Sequence, residues 1–162
     1  MINVKLLTSI NILNHEEILE KYFKSETFSN GQAVITKDDK DLKLFIVVSG
    51  NAIVKISDDH RVVFSPGDFF GELSFIDKQP RSAKVVATSN LRVAVIDQET
   101  MESLVIAYPA LAFLIYKNLS VELASRIRKT NDVVHETLTQ LRTPKTKKGP
   151  AWLRKVQKTL TS

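Results

Sequence analysis

At 162 residues, with 43% hydrophobic and 25% charged residues, the chain is long enough for one domain with a real core and has an ordinary globular profile. It has no cysteine, which excludes disulfides, thiolate zinc sites and cysteine-ligated iron–sulfur clusters and fits a cytoplasmic location; no apolar run approaches the roughly 20 residues of a membrane span, and no basic leader with an apolar core marks a signal peptide. The net charge of +5 is local: residues 143–162 hold six bases (Lys145, Lys147, Lys148, Arg154, Lys155, Lys158) and no acid, so the body is close to neutral.

Leu6 to Phe23 reads as one or two helices, with Asn14 placed to cap the second and Glu16 and Glu17 in its first turn. From about Glu26 the texture changes to short β-rich runs at 33–37, 43–48, 51–57, 60–64, 84–88 and 91–96. Turn signals separate them, including SNG at 29–31, KDDKD at 37–41, SGN at 49–51 and SPGD at 65–68. Strands of this length and spacing predict a sandwich or barrel. Asp97 is a good N-cap for a helix through Ala107, and Pro109 suits the first turn of another. No Gly or Pro interrupts 110–142, so one helix of about 50 Å fits there. Its stripe Phe113, Tyr116, Ser120, Leu123, Ile127, Thr130, Val134, Thr137, Leu141 alternates steps of three and four, a heptad seam. Leu111, Leu114, Ile115 and Leu119 widen the apolar face of the first half. The expectation is a first half packed on the barrel and a second half paired with another copy; the alternative is one helix lying on its own domain. Residues 143–150 read as a basic linker, and 151–160 as a short amphipathic helix with Trp152, Leu153, Val156 and Leu160 on one face.

The stretch with the most chemistry is Ser65 to Ala87, SPGDFFGELSFIDKQPRSAKVVA. Gly67 and Gly71 permit positive φ or close backbone approach. Gly71 opens a short helical turn over Glu72-Leu73-Ser74-Phe75-Ile76, whose first N–H groups are free to meet an anion; Pro80 is expected to end it. Arg81 then offers a planar fork suited to phosphate, Ser82 a hydroxyl, and Ala83 a small side chain. Donors, one cation and one carboxylate together fit a phosphate beside sugar hydroxyls.

Gly71-Glu72-Leu73-Ser74, seven further residues, then Ser82-Ala83 preceded by Arg81, resembles the phosphate-binding cassette of the cyclic nucleotide-binding domain family. Phe28-x-x-Gly31, Gly50 and Pro66-Gly67-Asp68 sit where that family has turns; Lys37-Asp38-Asp39 departs from its usual glycine before an acid. The resemblance implies a mainly β fold with α, a β-roll (double-stranded β-helix or jelly roll) with N-terminal helices and a long C-terminal helix at about 109–142. The domain would be 1–142, with 143–162 a basic tail. It implies that Glu72 accepts from the ribose 2′-hydroxyl. Backbone N–H groups around Gly71, Leu73 and Ala83 would meet the cyclic phosphate, which Arg81 pairs and Ser82 contacts. Val62 and Phe64 would line the base side. Ser125 to Asn131 is similar to the same region of bacterial catabolite activator-type regulators, where a Thr and the next polar residue reach adenine, one from each subunit; Thr130 and Asn131 match that pair. Alternatively both are polar register positions in a coiled-coil seam.

The function expected is therefore a cyclic nucleotide sensor, with cAMP preferred over cGMP, signalling through the long helix and a homodimer seam over 113–141. In the absence of ligand Arg81 is expected to lack a partner and 71–80 to be loose, and Arg81→Ala to abolish binding with the fold intact. No enzyme is expected: His15, His60 and His135 are scattered without metal-ligand spacing, and neither metal nor cofactor is implied. Twenty residues after the helix are too few for a helix-turn-helix domain, so sequence-specific DNA binding is not expected. The tail could meet a protein partner, anionic lipid or nucleic-acid backbone, or be a solubilising end. A ligand-independent scaffold and a non-specific nucleic-acid binder remain the competing functions.

Overall fold

A computed structural model describes residues 16–55 and 61–142 of the chain. The expected Asn14 cap, the linker 143–150 and the helix at 151–160 lie outside the described residues. Those described fall into two compact units, one ending at Ser120 and one beginning at Val121.

The first unit opens with helix α1 (Glu16–Tyr22) and strand β1 (Lys24–Phe28). There follow β2 (Ala33–Ile35), β3 (Lys43–Ser49), β4 (Ala52–Lys55), β5 (Arg61–Phe64) and β6 (Phe69–Phe70). A one-turn helix α2 (Glu72–Asp77) precedes β7 (Val85–Ala87), β8 (Leu91–Asp97) and α3 (Gln98–Ala107). Helix α4 runs Pro109–Arg142 and contributes to both units. The strands form two antiparallel sheets, ordered β1-β8-β3-β6 and β2-β7-β4-β5. This is the expected β-roll with helices.

Side-chain alternation along β3 and β8 divides the core in two. Phe45, Val47, Val93 and Val95 enter a cluster with Ala52, Phe64, Phe70 and Val85, side chains drawn from both sheets. Leu44, Ile46, Ala94 and Ile96 point the other way, to Tyr22, Met101, Leu104, Leu111, Ile115 and Leu119 of the helical region. Both faces of β3 and β8 are thus buried, which is why their sequences read as near-continuous apolar runs.

Asp97 caps α3 as expected: its Oδ1 accepts from Thr100 N at 2.8 Å. That bond is the main reason its carboxyl sits below the ordinary carboxylate value, with Lys24 and Lys43 adding to the effect. The chain then turns at Tyr108, whose N–H reaches Leu104 O at 2.7 Å, and Pro109 starts α4 without wasting a donor. The face of α4 against the sheet differs from the expected stripe. Leu111, Ala112, Ile115 and Leu119 are buried, whereas Phe113 is 65% exposed. Steps of four keep 111, 115 and 119 on one side, and residue 113, two positions on, turns about 200° away from 111. Full burial of Ile115 and Leu119 contributes roughly 1.5–3 kcal/mol each. In the second unit Val121, Ile127, Val133, Val134 and Leu138 are exposed.

Candidate functional site

Only three polar or charged residues among those described are buried: Glu72 (8% exposed), Ser74 (3%) and Arg81 (2%). All three belong to one ten-residue stretch. Burying such groups is costly unless they are paired, so the local geometry has to account for each of them.

Gly71 is the pivot. It takes φ 82°, ψ 8° at the N-cap of α2, a left-handed conformation that glycine adopts without strain. A Cβ there would lie 2.7 Å from Arg81 Nη1 and 2.9 Å from Lys43 O. The site therefore needs glycine twice, for backbone conformation and for space. Helix α2 ends earlier than Pro80: Lys78 turns left-handed at φ 58° and its N–H closes on Ser74 O at 3.1 Å. Proline is thus not the stop; the left-handed C-cap is.

Arg81 is tied down on several sides. Its Nη1 donates to Gly71 O at 2.8 Å and its Nη2 to Lys43 O at 2.7 Å. Asp41 Oδ2 stands 3.4 Å from Nη2. The Phe45 ring lies under the guanidinium, 5.6 Å from Cζ to centroid, within cation–π range. Its backbone is held as well, with Asp38 N to Arg81 O at 2.9 Å and Arg81 N to Asp39 O at 2.8 Å. Asp38 itself takes φ 69°, filling with an aspartate the turn where the sequence lacks a glycine. Burial lowers the Arg81 pKa, opposed first by Asp41 and then by Glu72 and Asp39; a guanidinium remains charged regardless.

This arrangement corrects two expectations. Arg81 does not lack partners without ligand, because a buried guanidinium left bare would cost more than the fold can spare. Arg81→Ala is likewise expected to weaken the fold, since it removes the donor from two part-buried carbonyls, Gly71 O and Lys43 O. One donor stays open: Arg81 Nε is buried with no hydrogen-bond partner. Buried polar atoms without a partner are uncommon in native structures.

The remaining predicted residues distribute as follows. Glu72 is buried beside the cassette and its charge acts on the Arg81 guanidinium. Leu73 is 48% exposed, Ser82 is exposed and Ala83 half-buried. Phe64 is buried and tilted against Phe70 at 5.1 Å, Phe70 stacks on Phe45 at 5.3 Å, and Phe45 underlies Arg81. An aromatic series thus links β5 to the cassette. Val62, two residues along β5 and paired with Val54, is 40% exposed. Thr130 and Asn131 belong to the second unit and are exposed; the Thr130 hydroxyl donates to Arg126 O at 2.9 Å. Asp41, Lys43 and Phe45 were not anticipated. They stand some forty positions before Arg81, and a carbonyl, a turn aspartate and a core phenylalanine carry no pattern of their own. The described residues include no group of three or more His, Cys, Asp or Glu placed to hold a metal ion, and no helix among them is long and apolar enough to cross a membrane.

Residues 25–108 match the cyclic nucleotide-binding domain family, and the chain belongs to it. It is 28% identical over 101 residues to the cAMP-dependent protein kinase regulatory subunit of Hypocrea atroviridis, covering 62% of this chain and 22% of that protein. It is 28% identical over 119 residues to the CRP-like cAMP-activated global transcriptional regulator of Mycobacterium tuberculosis, covering 70% and 51%. The fold is similar to the crystal structure of a cyclic nucleotide-binding domain from Methylobacillus flagellatus KT, with a TM-score of 0.71 at 22% identity over 82% of this chain and 80% of that one. The chain thus spans about a fifth of the first and about half of the second of these two protein relatives.

Proposed function

We propose that this chain is a cyclic nucleotide sensor, not an enzyme, that prefers cAMP to cGMP and reports binding through α4. The observation that carries the reading is the convergence of the three buried polar residues and the orphan Arg81 Nε on the Gly71 turn. A cyclic phosphodiester oxygen would accept from Nε and from backbone N–H groups around Gly71, Leu73 and Ala83, while Glu72 takes the ribose 2′-hydroxyl and Ser82 a phosphate oxygen. Val62 and Phe64 would bound the base. Because Arg81 is already oriented by Gly71, Lys43 and Asp41, ligand meets a largely preformed fork, and less ordering energy is lost on binding. Two or three charge-assisted hydrogen bonds at about 1.5–3 kcal/mol each, with purine burial, suit micromolar affinity, about 8 kcal/mol.

In this reading residues 1–142 are the sensing domain and 143–162 a separate basic tail for a protein partner. Two copies pair along 113–141, and Thr130 and Asn131 of that seam meet the base. The names of the two relatives, one cAMP-dependent and one cAMP-activated, support the preference. Calorimetric titration with cAMP and cGMP tests it. Micromolar cAMP binding, weaker cGMP binding, and a Glu72→Gln variant weakened at least about tenfold are expected. A wild-type chain that takes up neither nucleotide would leave the ligand-independent scaffold as the better account.

A further inference from the structure

A second recess lies at the other end of β3 from the cassette. Lys43, whose carbonyl holds Arg81, begins the strand and Ser49 ends it, roughly 20 Å apart at 3.3 Å per residue. At the Ser49 end the β3–β8 register shifts, and Arg92 comes to stand between Thr27 of β1 and Ser49 of β3. The recess there has a volume of about 420 Å³, in the range of small-molecule sites.

It is lined by Thr27, Ser29, Ser49, Asn90 and Arg92 together with Phe28 and Leu91, whose side chains belong to the core between the sheets. The walls are fixed. Gly50, at φ 79°, lets the 49–51 turn approach the 88–90 turn so closely that a Cβ would meet Asn90 O and Leu91 Cα. Asn51 N donates to Ser89 Oγ at 2.8 Å, and Thr88 Oγ1 donates to Asn51 O at 3.2 Å. Ser89 and Thr88 therefore hold the two turns together. The five polar residues of the lining do not: among the described residues none of their side chains makes a hydrogen bond or ion pair. Arg92, Thr27, Ser29 and Asn90 are exposed, so the recess opens to solvent, whereas the buried Arg81 is engaged by carbonyls and the half-buried Arg126 by Glu122. No carboxylate lines the recess.

One guanidinium, three hydroxyls and an amide around the recess form a donor-rich, acid-free set. A planar fork matches a carboxylate or phosphate in two-point fashion. The hydroxyls and the amide suit oxygens on neighbouring carbons. We infer that this recess is a second ligand site, separate from the cassette, for a small organic oxyanion: a carboxylate or phosphate monoester on a short hydroxylated carbon chain. The inference stands on Arg92 and its neighbours alone and is independent of whether cyclic nucleotide binds at Arg81.

The test is an amide-resolved NMR titration of the full chain with glycerol 3-phosphate and, separately, malate, each against sodium chloride of matched ionic strength. Saturable shifts of residues 27–29, 49 and 90–92 at about millimolar concentration are expected with at least one probe. Which probe saturates distinguishes phosphate from carboxylate. Arg92→Gln should weaken that probe about tenfold or more, and Asn90→Asp, which adds a negative charge to the recess, should do the same. Neither should alter the shifts produced by cAMP at 71–83. Shifts that grow linearly, that sodium chloride reproduces, that appear with neither probe, or that persist unchanged in both variants would overturn the inference.

Discussion

Arg81 illustrates how one side chain serves structure and recognition together. Two of its nitrogens close backbone carbonyls from β3 and from the turn before α2, and the third is buried without an acceptor. Its position depends on Gly71, so that glycine is the residue-scale test. In Gly71→Ala the new methyl group meets Arg81 Nη1 and Lys43 O, at a backbone φ of 82°. The left-handed backbone alone costs about 1–2 kcal/mol. The variant should unfold several degrees lower and lose cAMP affinity together, measured by thermal melting and calorimetry on one preparation. A variant that melts like wild type would show that the turn relaxes without displacing Arg81.

Among the elements, α3 depends most visibly on a single side chain. Asp97 accepts from Thr100 N at the helix start, and that bond holds its pKa below the ordinary 3.8. A depressed carboxyl stabilises the fold fully above its unfolded pKa and loses that contribution as pH falls through the lower folded value. Asp97→Ala should therefore cost about 1 kcal/mol at neutral pH, and its deficit relative to wild type should shrink once pH drops below the ordinary carboxylate range. Urea melts of both proteins at neutral and acid pH measure it; a deficit that stays constant into strong acid would mean the cap is not electrostatic. The elements also show where sequence patterns fail. β1, KSETF, alternates charge with small polar residues at a sheet edge, and β6 is two phenylalanines long. Neither is long or apolar enough to display a period. The face of α4 that packs was likewise ambiguous, because the heptad stripe and the Leu111–Ile115–Leu119 row both read as apolar. Burial selected the second in the first unit.

At the scale of the molecule, the exposed Ile127 (61%) and Val134 (50%) lie on the stripe proposed as a seam between two copies. Ile127→Glu with Val134→Glu should leave a monomer's melting temperature nearly unchanged and split a dimer, which light scattering after size-exclusion chromatography would read as a halved mass. A wild-type chain already monomeric at high concentration would remove the seam and, with it, the base contact proposed for Thr130 and Asn131. The sequence by itself determined what depends on neighbours along the chain. The β-branched, apolar runs of β3, β4, β5 and β8, the left-handed turns at Gly31, Gly50, Gly67 and Gly71, the Asp97 cap and the Gly71-to-Ala83 cassette are all set by residues close to one another in the chain. Tertiary structure alone decided what lies between distant segments: that Asp41, Lys43 and Phe45 hold Arg81, that Phe64 joins the Phe70–Phe45 stack, and that Thr27, Ser49 and Arg92 meet in one recess. Local conformational preference is written into consecutive residues. A contact between separate strands exists only once those strands have paired, and nothing in the spacing of the residues involved records it.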